Sequence, residues 1–62
     1  MNEYYYEIWE QHLNIFKEVV SFTVHDTGIQ VADSGTEAYN QIVKKYQCTK
    51  EIIYHILNFR KV

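Results

Sequence analysis

A single cysteine, Cys48, in a chain of 62 residues removes the covalent staple on which very small domains often rely, so the fold must be held by side-chain burial alone. A domain of this length buries only about 60% of the surface that its unfolded chain exposes, and it is too short to divide into two cores. One domain over 1–62 is therefore expected. Aromatic residues make up 16% of the chain, six of them tyrosines, and rings bring the largest apolar area per residue. Pairing into a homodimer is the other available supplement to a thin core. Proline is absent and only Gly28 and Gly35 are present, which predicts a chain ordered nearly end to end. No apolar run approaches the roughly 18 to 20 residues of a membrane span, and Met1-Asn2-Glu3 lacks the basic flank of a leader. No membrane partner is expected, and the lone thiol is compatible with a cytoplasmic location.

Hydrophobic spacing predicts an α+β domain. Tyr5, Ile8, Trp9, Leu13, Phe16 and Val20 follow steps of three, one and four, which predicts an amphipathic helix over 1–20 capped by Asn2. Residues 21–33 alternate on both sides of Asp26-Thr27-Gly28, which predicts a β-hairpin. Phe22, Val24, Ile29 and Val31 would share its buried face, and Gly28 would take the positive φ of the turn. Ser34 or Thr36 can cap a second helix carrying Tyr39, Ile42, Val43 and Tyr46. Thr49 can cap a third with Ile52, Ile53, Ile56, Leu57 and Phe59 inward.

The line from Gln41 to Leu57 resembles the helix-turn-helix segment of bacterial and phage DNA-binding proteins, over about a third of the chain. Ile42 and Tyr46 match the inner positions of the first helix, Cys48 the buried residue of the turn, Thr49 the cap, and Ile53 with Ile56 the inner face of the second helix. Val43 and Gln47 depart from the small residue and the glycine that the family prefers. The resemblance implies a helical pair over 36–61 in which Lys50, Glu51, Tyr54 and His55 face a DNA groove, with Lys44, Lys45, Arg60 and Lys61 near phosphates.

Charge is distributed unevenly. Residues 1–35 hold one basic residue against six acidic ones, and 36–62 hold five against two, hence −5 and +3 within a net charge of −2. The basic half suits contact with nucleic acid, DNA more than RNA, in a small non-enzymatic regulator. The acidic half suits an alternative: a protein-binding inhibitor or adaptor of the phage or mobile-element type, in which Glu3, Tyr4, Tyr6, Glu7 and Glu10 make the contact. His12, His25, His55 and Cys48 show no zinc-ligand spacing, and no nucleophile, base and cofactor motif occur together. No enzyme activity, metal or cofactor is expected.

Overall fold

The computed structural model describes residues 1–62: three antiparallel strands and one helix, in the order β1 (Asn2–Leu13), β2 (Val19–Ala32), α1 (Gly35–Lys45) and β3 (Ile52–Lys61). β1 is the middle strand of a sheet ordered β2-β1-β3. The chain therefore makes a hairpin, crosses one face of the sheet as α1, and returns on the far side of β1. No helix is long and apolar enough to cross a membrane.

The helix expected over 1–20 is not formed; the segment is β1 and the start of β2. Tyr4, Tyr6 and Ile8 point inward at steps of two and are buried, whereas Tyr5 and Trp9 lie on the opposite face. Aromatic and β-branched side chains fit a pleated surface, and in β1 that preference prevails over an equally good helical spacing.

The chain reverses at 14–18, not at Asp26-Thr27-Gly28. Asn14 Oδ1 accepts the backbone N–H groups of Phe16 at 2.8 Å and Glu18 at 3.0 Å, and Lys17 takes the left-handed conformation at φ 65°. The expected hairpin over 21–33 is instead the length of β2, with register slipping between Ile8 and Trp9 so that His25 bulges out of the ladder. Gly28 has no positive φ; it sits opposite Tyr6, whose ring occupies the space that a side chain would need.

α1 confirms the second expected helix. Ser34 is its N-cap, accepting the Glu37 backbone N–H at 3.2 Å, and Lys44 and Lys45 close its last turn. The third helix does not exist, so the helix-turn-helix resemblance over 41–57 is not supported. Residues 52–57 instead form a ladder with Glu7–His12 of β1. Three isoleucines in five residues favour this extended form. Thr49 does accept the Ile52 N–H at 3.1 Å, but the turn it makes leads into a strand. Cys48, expected inside the turn, is exposed, with its Sγ accepting the Tyr54 N–H at 3.4 Å.

The core lies between α1 and one face of the sheet. Tyr4, Ala32 and Ala38 form one cluster, with Tyr4 stacked on Phe59 at 5.6 Å. Tyr6, Ile8 and Ile42 form the other, flanked by Tyr46, Tyr54, Ile56 and Phe59. These six residues are all that is buried, and only Ile8 and Ile42 among the large side chains are fully enclosed, each worth about 1.5–3 kcal/mol.

Candidate functional site

In β2 the alternation runs against the helix. Its residues on the α1 side are Ser21, Thr23, Asp26, Gly28 and Gln30, paired with His12, Glu10, Ile8, Tyr6 and Tyr4. Its apolar residues, Phe22, Val24, Ile29 and Val31, lie on the other side, where no element of the chain covers them; they are 46%, 52%, 47% and 46% exposed. The His25 bulge keeps the two pairs on one face despite their odd and even numbers. Tyr5, Trp9 and Gln11 of β1 and Ile53, His55, Leu57 and Arg60 of β3 continue this face across the sheet.

The polar groups at the centre of the bare face, around Glu7, are engaged with one another. Glu7 Oε1 accepts from Trp9 Nε1 at 3.0 Å and Asn58 Nδ2 at 2.8 Å, and Oε2 accepts from the Tyr5 hydroxyl at 2.8 Å. The bonds from Trp9, Asn58 and Tyr5 hold the Glu7 carboxyl below the usual range, and donating to Glu7 raises the Tyr5 phenol. The Arg60 guanidinium lies 4.3 Å from the centre of the Tyr5 ring. Trp9, Phe22 and His55 form an aromatic row, with centroids 5.3 Å and 5.6 Å apart, and a bond of 2.6 Å joins His55 Nε2 to Gln11 Oε1.

The helix side carries two lesser features. Beyond the C-terminus of α1, Glu10 bonds to His12 through one oxygen and to His25 Nδ1 at 2.6 Å through the other, and these bonds, led by that from His12, lower its pKa. His25 packs against Tyr46 and Tyr54, and the Tyr46 hydroxyl donates to Asp26 at 2.8 Å, which lowers the Asp26 carboxyl and raises Tyr46. Both Glu10 oxygens are taken up by the histidines, and no group of three ligand side chains suits a metal ion. Between α1 and β3 runs a shallow apolar groove of about 240 Å³, lined by Tyr39, Val43, Tyr46, Cys48, Tyr54 and Ile56, with His55 and Leu57 at the strand.

The structure does not bring the expected DNA-contact residues together. Tyr54 and His55, neighbours on a strand, face opposite sides of the sheet. Lys50 and Glu51 lie in the loop before β3, while Arg60 and Lys61 lie at its other end, about 26 Å along the strand from Ile52 to Arg60 at about 3.3 Å per residue. Lys44 is exposed on α1, and Lys45 is turned back to Gln30 at 2.9 Å. Of the residues assigned to protein contact, Tyr4 and Tyr6 are core, Glu10 is in the histidine cluster, and Glu3 and Glu7 belong to the bare face.

The residues that sequence reasoning missed as a surface are Tyr5, Trp9, Ile53, Leu57 and the exposed side of β2. The signal lies in Phe22, Val24, Ile29 and Val31, whose alternation marks one apolar face in the sequence without showing that this face points away from the helix. No family model matches the chain, and neither a curated protein nor a solved structure matches it.

Proposed function

We propose that the protein is a small non-enzymatic binding module that works by burying the bare face of its sheet against another protein surface. The observation that carries this reading is the reversed alternation of β2, whose apolar side faces away from the only helix. A contiguous exposed apolar patch with aromatic residues and few charges has the composition of an interface core. With Arg60 as its one basic residue, laid over Tyr5, the face offers phosphate little attraction, which favours protein over nucleic acid as the partner.

The test is photo-crosslinking from within the native environment, with benzoylphenylalanine replacing Phe22 on the bare face or Asn40 on the exposed side of α1. Phe22 is expected to give a discrete protein adduct and Asn40 none. Silence at Phe22, or the same adducts from both positions, would overturn the reading.

A further inference from the structure

We infer that the surface covering the bare face is a second copy of this chain, packed sheet to sheet about a two-fold axis with the two α1 helices outermost. The inference rests on the bare face being an interaction surface and names its occupant.

Three observations select a copy. The first is how little the chain encloses: six buried residues make a thin core, which a layer over the bare face would thicken. A layer that supplements the core serves best when it is always present at equal stoichiometry, and a copy always is.

The second is area. With strands about 4.8 Å apart and about 3.3 Å per residue, the span from Glu3 to Leu13 across three strands offers a plane of about 14 Å by 33 Å. Two such faces amount to about 920 Å², close to the roughly 1,000 Å² at the lower limit for a specific interface and about a tenth of the two chains' surface, each copy exposing 4405 Å².

The third is charge. A two-fold axis sets a face against itself, so a strongly charged face would repel its copy. Here the central carboxylate, Glu7, has both oxygens hydrogen-bonded within its own chain, and Arg60 is laid over Tyr5. Covering them leaves no acceptor stranded. Glu3 lies at the end of the face, exposed.

The strand edges do not offer an easier route. β2 is interrupted at His25 and β3 at the left-handed Asn58, and the start of β3 is shielded where Thr49 N–H bonds to Ile52 C=O and Tyr54 N–H to Cys48. Such bulges and covers block pairing by strand addition.

Sedimentation equilibrium and thermal melts of the full chain over about 5–500 µM test the inference. The expected particle has twice the 7.5 kDa mass of one chain, with a melting midpoint that rises by several degrees across that range. Val24→Lys and Ile29→Lys are each expected to weaken association at least about 100-fold, and Asn40→Lys to leave it unchanged. Should either face variant unfold, the concentration dependence of the wild-type midpoint still decides. A single-chain mass with a constant midpoint, or a dimer indifferent to both face variants, overturns the inference. If Phe22 crosslinks only to a different protein, the second copy is excluded while the binding face stands; if Phe22 is silent, both fail.

Discussion

A Cβ built on Gly28 would stand 2.8 Å from the hydroxyl oxygen of Tyr6 and 3.1 Å from its Cζ. The missing side chain in the middle of β2 is therefore what lets a buried tyrosine ring spread across from β1. Gly28→Ala should displace that ring and cost about 1–2 kcal/mol net of the backbone entropy it saves. In thermal melts this is a fall of about 4–8 °C per kcal/mol for a domain of this size. Tyr6→Phe removes the nearest atom, so the double variant is expected to recover most of the loss.

Ile42 is the one large helix side chain fully enclosed by the sheet. Ile42→Ala should cost about 2–5 kcal/mol, a large share of a total stability of about 5 kcal/mol for a domain this small. Val43→Ala, one residue along and half-exposed in the groove against β3, is expected to cost less, about 1 kcal/mol or under. Urea titration followed by circular dichroism compares the two, and equal effects would contradict the placement of α1.

Two residues other than glycine have positive φ, Lys17 at 65° and Asn58 at 54°. Lys17→Gly should relieve the strain in the hairpin loop and stabilise the protein by about 0.5–1 kcal/mol. Asn58→Gly should not, because it also removes the 2.8 Å bond from Asn58 Nδ2 to Glu7. Parallel denaturant titrations of the two variants are expected to show midpoints moving in different directions.

The carboxyls of Glu7, Glu10 and Asp26 all titrate below their unfolded values, held there chiefly by bonds from Trp9, His12 and Tyr46 respectively. In acid the folded state thus binds fewer protons than the unfolded one, so stability rises with pH through that window. The contribution is complete above about pH 5 and is lost as pH falls through the lowered folded values. Glu7→Gln should lower stability at neutral pH, and its effect should shrink as pH falls through the lowered folded value of the native carboxyl. A set of urea titrations across this range measures the slope, and an unchanged slope in Glu7→Gln would contradict the role given to Trp9, Asn58 and Tyr5.

What could be read in the sequence was local. α1 was legible because Ser34 offers a cap and Tyr39, Ile42, Val43 and Tyr46 keep helical spacing, although of these four only Ile42 is fully buried. The common face of Phe22, Val24, Ile29 and Val31 was legible from alternation, but not that one continuous strand carries it, since the bulge at His25 supplies the shift that resembles a turn. β1 and β3 were not legible. Tyr4, Tyr6 and Ile8 satisfy a period of two while Tyr5, Ile8 and Trp9 satisfy a helical one, and the decision is made by ladder partners such as Ile56 for Ile8, far away in the chain. The bare face was illegible for the same reason, because a helical reading of β1 and β3 leaves no sheet surface for β2 to extend.

The bulged His25 and the left-handed Asn58 have a further consequence for a chain this rich in tyrosine, isoleucine and valine. Long, proline-free ribbons of that kind are natural seeds for cross-β fibrils, which lengthen by stacking one flat outer strand on the next. A kink in each outer strand shortens the flat template on either side, which works against such stacking in a ribbon of this composition.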